Sequence, residues 1–226
     1  MTTIELRSVH HRFEDHEVLR GLDLKLSERR IGVVGSNGSG KSTFARLLNG
    51  LLAPSSGTVL VDGLDTARSA KAVRRKVGFV FQNPDNQIVF PIVEEDVAFG
   101  LKGQKLPRGE REALVDDVLA LYGLEHLRHH ASHTLSGGEK QLLALAGVLV
   151  TRPDCIVFDE PTTLLDLRNA RKVAGVIRAL EQSAVVVTHD LSLIKDFDRV
   201  LVFDEGRVVV DDSPSAALSA YVERMR

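Results

Sequence analysis

The chain has 226 residues, of which 43% are hydrophobic and 27% charged, and its formal net charge is −2. This composition is ordinary for a globular protein with a sizeable core, and the balanced charge argues against nucleic acid as a partner. No apolar stretch approaches the ~20 residues of a membrane-spanning helix, and the N-terminus lacks a signal-peptide pattern. The single cysteine, Cys155, excludes an internal disulfide. We therefore expect a cytoplasmic protein that does not insert into the membrane directly.

The N-terminal part of the chain has strand-like patterns separated by polar turns. They fall at residues 4–6, 18–19, 22–26 and 58–61. Alternating apolar residues between turn signals are typical of antiparallel strands. We predict an antiparallel sheet here, beside the ligand-binding segment that follows.

A glycine-rich loop follows the apolar run 31–34 and precedes the amphipathic run 43–49. It matches G-x-x-x-x-G-K-[ST], and strand, glycine loop and helix are the context that this phosphate-binding pattern requires. Its backbone N–H groups and the helix N-terminus would bind the phosphates of a nucleoside triphosphate. Lys41 would reach the β- and γ-phosphates, and the Ser42 hydroxyl would ligate Mg²⁺. The candidate nucleotide-binding residues are Gly35, Ser36, Asn37, Gly38, Ser39, Gly40, Lys41, Ser42 and Thr43.

The middle of the chain is predicted to be a helical insertion. After an apolar run at 77–81, residues 83–152 lack strand signals and contain helical patterns at 94–101, 109–121 and 137–151. Apolar runs resume at 155–158, 184–187 and 199–203, and the tail 214–226 has the pattern of a short helix. We predict one α/β domain over residues 1–226. Its nucleotide-binding core comprises 1–82 and 153–226, with a mostly parallel sheet, and 83–152 form a helical subdomain.

The sequence Leu-Ser-Gly-Gly-Glu-Lys-Gln at 135–141 begins the last of these helical patterns. Ser136 and Glu139 have the S-x-x-E spacing of a capping box. Gly137 and Gly138 leave the helix end free of side chains, so a second anion could bind there. The chain thus has two half-sites for phosphate.

Two adjacent carboxylates, Asp159 and Glu160, directly follow the apolar run at 155–158. Such a pair is costly at the end of a buried strand unless a cation or a reaction uses it. Asp159 is placed to hold Mg²⁺, and Glu160 to polarise a water for attack on the γ-phosphate.

These motifs together resemble those of the ATP-binding-cassette ATPases, over essentially the whole chain. The resemblance implies a P-loop cassette fold, ATP and Mg²⁺ as ligands, and a head-to-tail dimer in which the loop of one cassette and residues 135–141 of the other enclose each ATP. The partner is then a second cassette subunit, and we expect a homodimer. The resemblance also gives roles to four residues outside these motifs. It implies that Phe13 stacks on the adenine and that Gln82 contacts Mg²⁺ and the attacking water. It further implies that Asp166 belongs to the loop that crosses the dimer interface and that His189 contacts the γ-phosphate.

The segment after Gln82 resembles the energy-coupling-factor branch of that family. The strings QNPDNQ at 82–87 and VEEDVAFG at 93–100 carry this resemblance, with Gln87 as the branch's characteristic glutamine. It implies a transmembrane coupling subunit, a small substrate-binding membrane subunit, and a location at the cytoplasmic face of the cell membrane. The apolar residues Ile88, Val89, Phe90 and Ile92 are candidates either for a socket that receives the coupling subunit or for ordinary core.

Within the branch the chain is most similar to the ATPases of biotin importers, with cobalt or nickel importers next. A soluble cassette ATPase acting outside transport is the alternative from another class. Two positions depart from the family pattern, Leu142 after the 135–141 motif and Leu164 in the loop before Asp166. A histidine group with helical spacing at 126, 129, 130 and 133 indicates a solvated face rather than a metal site, because no carboxylate or cysteine accompanies it in the sequence.

Overall fold

The computed structural model describes residues 2–225. Its strands are β1 (Ile4–Phe13), β2 (His16–Leu26), β3 (Arg30–Gly35), β4 (Ser56–Val61), β5 (Leu64–Asp65), β6 (Val77–Val80), β7 (Cys155–Asp159), β8 (Ser183–Val187), β9 (Arg199–Asp204) and β10 (Arg207–Asp212). Its α-helices are α1 (Lys41–Leu48), α2 (Ala70–Lys76), α3 (Val93–Gly100), α4 (Arg108–Tyr122), α5 (Gly137–Leu149), α6 (Leu167–Ala179), α7 (Leu191–Ile194) and α8 (Pro214–Arg224).

The strands form two sheets. A six-stranded sheet has the order β10-β9-β3-β8-β7-β6 and is parallel except for β10, which pairs antiparallel with β9. A four-stranded antiparallel sheet has the order β2-β1-β4-β5. The α/β cassette fold with a mostly parallel core and an antiparallel sheet beside it is thereby confirmed. Parallel order brings the carboxyl ends of β3, β7 and β8 to one edge, where α/β proteins bind ligands.

Alternating side chains of the central strands face two separate apolar clusters. In β7, Ile156 and Phe158 belong to one cluster, and Cys155 and Val157 to the other. The second cluster continues into α1 and the antiparallel sheet, and the first into α3, α4, α5 and α6. Successive strand side chains point to opposite faces, and both faces are covered, so the central strands are apolar throughout.

The helices of residues 83–152 share their core with the central sheet. A Cβ atom at Gly78 in β6 would lie 2.3 Å from Val148 Cγ1 in α5, so helix and strand approach more closely there than a side chain would allow. The apolar cluster runs from α3 and α5 into β7 and β8 without interruption. The division into core and helical subdomain at 83 and 152 remains a prediction, because the packing continues across it.

The observed α3, α4 and α5 agree with the predicted helices within two residues, and α8 with the predicted tail helix; Arg226 lies outside the described residues. The sequence placed no bounds on α2 and α6, and it missed β10. The side chains of β10 are exposed or half-buried, so it lacks the apolar run that marks a central strand. No helix among residues 2–225 is both long and apolar enough to span a bilayer.

Candidate functional site

The glycine-rich loop curls between β3 and α1 against the start of β2. Gly40 has φ 100°, and a Cβ atom there would lie 2.8 Å from Leu19 Cδ2 and 2.9 Å from Val18 O. Only glycine accommodates both the left-handed backbone and this close approach. The loop therefore presents its backbone toward the open side, as phosphate binding requires.

Lys41 is buried with its ammonium group folded against this loop. Its Nζ donates hydrogen bonds to Gly35 O at 2.8 Å and to Ser36 O at 2.7 Å. Burial lowers the pKa of the Lys41 amine, and the carboxylates of Asp159 and Glu160 oppose that shift. A cation so poorly solvated gains most from an anionic ligand such as a phosphate.

Asp159 and Ser42 meet at the carboxyl end of β7. Ser42 Oγ donates a 2.8 Å hydrogen bond to Asp159 Oδ1, and the guanidinium of Arg46 lies 3.8 Å from Asp159 Oδ2. A hydroxyl and a carboxylate side by side, both oxygen donors, are the ligand types that Mg²⁺ prefers. The donor set therefore fits the magnesium ion that the motifs imply.

Glu160 is buried and held in an uncommon backbone conformation. Its φ of 52° is in the left-handed region, which a non-glycine residue occupies only where the surroundings enforce it. Its Oε2 accepts hydrogen bonds from Thr163 Oγ1 at 2.7 Å and from the His189 backbone N–H at 3.2 Å. The other oxygen, Oε1, lies 3.2 Å from His189 Nε2 and has no hydrogen-bond partner among the described residues.

Lys41, Ser42 and Glu160 line one cavity of about 530 Å³, whereas Asp159 is not part of its wall and contacts it through Ser42. Its walls are Phe13, His16, Val18, Asn37, Gly38, Gly40, Lys41, Ser42, Thr43, Gln82, Glu160, Thr163 and His189. The structure thus brings most of the expected P-loop residues together with Phe13, Gln82, Glu160 and His189. Three expected residues of the loop do not line the cavity: Gly35, Ser36 and Ser39. Ser39 is buried, and its hydroxyl has no hydrogen-bond partner among the described residues.

Three cavity residues were not predicted from the sequence. His16 pairs with Phe13 across the turn between β1 and β2, and Val18 follows it along β2. Thr163 lies one turn beyond Glu160. The Phe13 ring is 48% exposed and is open to a stacking partner. Recognising the β1–β2 hairpin in the sequence would have placed His16 beside Phe13, whereas Thr163 had no such signal.

The 135–141 motif lies outside this cavity, at the N-terminus of α5. Ser136 and Glu139 form the predicted capping box, in which Glu139 N donates to Ser136 Oγ at 3.4 Å and Ser136 N to Glu139 Oε2 at 2.8 Å. The Ser136 hydroxyl also donates to that carboxylate at 2.6 Å, and these bonds lower the pKa of Glu139. Ser136 and Gly137 are exposed. The second half-site is thus presented at the surface.

Asp166 also lies outside the cavity and caps α6. Its Oδ1 accepts a hydrogen bond from Asn169 N at 2.9 Å, and its Oδ2 one from Asn169 Nδ2 at 2.7 Å. Asn169 packs directly on the α5 N-terminus, since a Cβ atom at Gly138 would lie 2.3 Å from Asn169 Oδ1. The 135–141 motif and the loop before α6 therefore form one packed unit.

The segment after Gln82 contacts α5 through a hydrogen bond and an ion pair. Gln87 accepts a hydrogen bond from Phe81 N at 3.2 Å through Oε1 and donates one to Ala144 O at 2.7 Å through Nε2. Lys140 pairs with Asp85 at 2.7 Å. The segment after β6 is therefore joined to α5 by both the Gln87 hydrogen bond and the Asp85 ion pair.

A groove of about 680 Å³ lies beside this hinge, between α3 and α4. Phe90 and Phe99 line it with their ring centroids 5.0 Å apart. Val89 is 64% exposed, whereas Ile88 is half-buried and packs on the core. Of the candidate socket residues, Phe90 thus lines the groove and Val89 is free at the surface, while Ile88 belongs to the core.

The four histidines do not share a helical face, because 126 and 133 fall in two separate 3₁₀ turns. His129 Nδ1 lies 3.1 Å from Glu94 Oε1. Among residues 2–225, no three His, Cys, Asp or Glu side chains are grouped so that they could hold a metal ion.

Comparison with known proteins places these features in a family. The family model described as "ABC transporter" matches residues 19–163. The biotin transport ATP-binding protein BioM of Rhizobium etli is 50% identical over 220 residues, covering 97% of this chain and 98% of that protein. The energy-coupling factor transporter ATP-binding protein EcfA1 of Symbiobacterium thermophilum is 46% identical over 215 residues, covering 92% of this chain and 75% of that protein.

A solved structure supports the same placement. The structure of cbiO1 from Clostridium perfringens, described as part of the ABC transporter complex cbiONQ, superposes with a TM-score of 0.84. It is 33% identical in sequence, and the match covers 98% of this chain and 93% of that one.

Proposed function

Because the chain belongs to the ABC transporter family, in its energy-coupling-factor branch, we propose that it powers the import of a vitamin, biotin, as a head-to-tail ATPase dimer. The observation that carries the proposal is the separation of its two half-sites. The glycine loop, Glu160 and His189 line one cavity, with Asp159 hydrogen-bonded to Ser42 in its wall, whereas the 135–141 motif lies outside it with Ser136 and Gly137 exposed. A single copy therefore encloses only part of an ATP molecule.

In the proposed mechanism the adenine stacks on Phe13 and the phosphates lie along residues 35–43, with Lys41 against the β- and γ-phosphates. Water attacks the γ-phosphorus, and the bond to the bridging β–γ oxygen breaks to give ADP and phosphate. Glu160 accepts the proton of the attacking water through Oε1, which accepts no hydrogen bond although His189 Nε2 lies 3.2 Å away. His189 contacts the γ-phosphate and keeps it beside that carboxylate.

Ser42, Asp159 and Gln82 would hold Mg²⁺. When bound, this ion neutralises charge on the phosphate oxygens and fixes their orientation. The chain's own contribution is to keep the oxygen donors in place. The Ser42–Asp159 hydrogen bond supports this role, because it already holds two donors within 2.8 Å of each other.

The second copy completes each site. Ser136, Gly137, Gly138 and Glu139 of one subunit would cover the γ-phosphate bound by the other, with the exposed N-terminus of α5 directed at the anion. Asp166 would contact the partner at the same interface. ATP then stabilises the dimer, and hydrolysis removes the γ-phosphate that joins the two subunits.

Transport would be coupled through the segment after Gln82. We assign the groove between α3 and α4, with Phe90 and Phe99 in its wall, to a helix of the transmembrane coupling subunit. Gln87 and Asp85, which precede Phe90 in the chain, contact Ala144 and Lys140 of α5, so closure of the dimer would move the segment that leads to the groove. The chain is then held at the cytoplasmic face of the membrane by that subunit, which in turn binds a small substrate-binding membrane subunit.

The substrate assignment is supported by the match to the biotin transport protein of Rhizobium etli over nearly the whole length of both chains. A cobalt or nickel importer is the competing assignment, since substrate is selected by a different subunit. A soluble cassette ATPase that acts outside transport is the remaining alternative. No residue in the cavity distinguishes these three.

Purification from native membranes tests the transport role. We expect the tagged chain, gently solubilised, to copurify with a coupling membrane protein and a small hydrophobic subunit that carries biotin, detected by mass spectrometry of the extracted ligand. Stoichiometric cobalt or nickel in place of biotin would overturn the vitamin assignment. Recovery of soluble partners alone would overturn the transport role.

A second experiment tests the dimer and the site. We expect Glu160→Gln to hydrolyse ATP very slowly and to form a persistent dimer with ATP and Mg²⁺, measured by light scattering after size exclusion. The same variant in ADP, and the double variant Glu160→Gln/Lys41→Ala in ATP, should stay monomeric. A Glu160→Gln protein that remained monomeric in saturating ATP would contradict the sandwich.

A further inference from the structure

We infer that Thr163 positions the carboxylate of Glu160 for proton transfer, an assignment that rests on the proposed role of Glu160 in hydrolysis. Thr163 Oγ1 donates a 2.7 Å hydrogen bond to Glu160 Oε2. It is the only side chain among residues 2–225 that hydrogen-bonds that carboxylate, since the other donor is the backbone N–H of His189. Thr163 also lines the nucleotide cavity itself.

The two oxygens of Glu160 have different surroundings. Oε2 accepts two hydrogen bonds, whereas the buried Oε1 accepts none, and its polar neighbour is His189 Nε2 at 3.2 Å. A buried carboxylate oxygen without a hydrogen bond is costly and needs a structural or functional reason. The hydroxyl of Thr163 fixes the orientation of the carboxylate, because its hydrogen bond to Oε2 restricts rotation about the Cγ–Cδ bond of Glu160. Oε1 is thereby kept free to accept a proton from water.

The backbone explains why Thr163 can make this bond. Glu160 has φ 52°, and Pro161 follows it, so the chain turns sharply at the end of β7. Thr163 N then lies 3.4 Å from Glu160 O, which brings the Thr163 hydroxyl back over the carboxylate of the residue three positions earlier. The contact is local in sequence, but it exists only in this turn.

The turn after Glu160 continues into α6. Residues 161–166 form the loop between Glu160 and α6, which we assign to the dimer interface. A shift of this loop on dimer formation would move the Thr163 hydroxyl and with it the free oxygen of Glu160. Thr163 is thus placed to make the geometry of the base depend on the loop conformation.

The test compares Thr163→Val and Thr163→Ser in the full chain. Valine keeps the branched shape and removes the hydroxyl, whereas serine keeps the hydroxyl. Misplacing a catalytic group by a fraction of an ångström costs roughly tenfold in rate. We expect Thr163→Val to lower kcat for ATP about tenfold with KM changed less than about twofold. We expect Thr163→Ser to recover kcat to within about threefold of the original protein.

Two further measurements separate positioning from structure. Thr163→Val should show the original melting temperature and the original equilibrium affinity for ATP, measured with Mg²⁺ by calorimetry in the Glu160→Gln background. In that background it should not lower hydrolysis further, because the group that it positions is gone. A kcat loss that serine does not recover, an unchanged kcat in Thr163→Val, or a weakened ATP affinity would each overturn the inference.

The failure of this inference is distinct from the failure of the proposed function. If Glu160→Gln retains normal hydrolysis, the role of Glu160 is wrong and Thr163 has nothing to position. If Glu160→Gln is inactive and Thr163→Val is normal, only the role of Thr163 is wrong.

Discussion

Replacing Gly138 by alanine should destabilise the protein, because the added methyl group has no space. A Cβ atom there would lie 2.3 Å from Asn169 Cγ and Oδ1 and 2.8 Å from Asn169 Cβ. Rotating the Asn169 side chain relieves only the first two contacts, so α5 and α6 must also move apart. The rotation would also break the 2.7 Å hydrogen bond from Asn169 Nδ2 to Asp166 Oδ2.

The expected magnitude has two parts. Inserting one methyl group into a fully packed contact costs ~1–3 kcal/mol. Losing the side-chain hydrogen bond between Asn169 and Asp166 costs ~1 kcal/mol more. The sum is ~2–4 kcal/mol, which for a chain of this size lowers the melting temperature by ~4–16 °C.

Gly137→Ala is the matched control. A Cβ atom at Gly137 meets only Leu165 Cδ2, at 3.9 Å, which is an ordinary van der Waals contact. Both glycines lie in the first turn of α5, so the gain in helix propensity from alanine is shared and cancels in the difference. We therefore expect Gly137→Ala to be at least as stable as the original protein, and Gly138→Ala to be ~2–4 kcal/mol less stable than Gly137→Ala.

Urea denaturation followed by circular dichroism, without nucleotide, measures this difference. Adding Asn169→Ala to Gly138→Ala should recover part of the loss, since it removes two of the three close atoms. Equal stability of the two glycine variants would refute the packing between the 135–141 motif and α6. A loss in Gly138→Ala that Asn169→Ala does not reduce would place the strain elsewhere.

Three other predictions follow from individual contacts. Gln87→Ala should lower the free energy of unfolding by ~1–2 kcal/mol, because it removes the hydrogen bond to Ala144 O in α5 and the one from Phe81 N at the end of β6, and urea denaturation would show no change if those bonds were absent. Arg128→Met should destabilise by ~1 kcal/mol at pH 7, since Arg128 pairs with Glu94 and with Asp116, and its hydrogen bond lowers the pKa of the Glu94 carboxyl. The Glu94 contribution is complete above the ordinary glutamate pKa and is lost as pH falls through the lowered pKa, so the difference between the two proteins should shrink as the solution is acidified; Glu94→Gln should reduce that pH dependence, and a constant difference would contradict it. Burial raises the pKa of the Cys155 thiol to about 11, so iodoacetamide at pH 8 should label this residue only in denaturant, and rapid labelling of the native protein would show it to be accessible.

Much of the site was predictable because its motifs are local. The P-loop requires its glycines and Lys41 within a few residues, and the capping box of Ser136 and Glu139 spans only four. Both therefore fold as their sequence patterns predict. Elements without a local pattern were missed: β10 has exposed or half-buried side chains and depends on β9 for its hydrogen bonds.

The sequence alone determined the cassette fold, the core strands other than β10, the helices of residues 83–152, and the family. These follow from apolar periodicity and from motifs in which neighbouring residues act together. The tertiary structure decided what depends on distance between separate segments: that Ser42 meets Asp159, that Gly138 packs on Asn169, and that Gln87 joins the hinge to α5. It also decided which oxygen of Glu160 is held and which is free. The physical reason is that hydrogen bonds and packing act over about 3–4 Å, and only the folded backbone brings such groups that close.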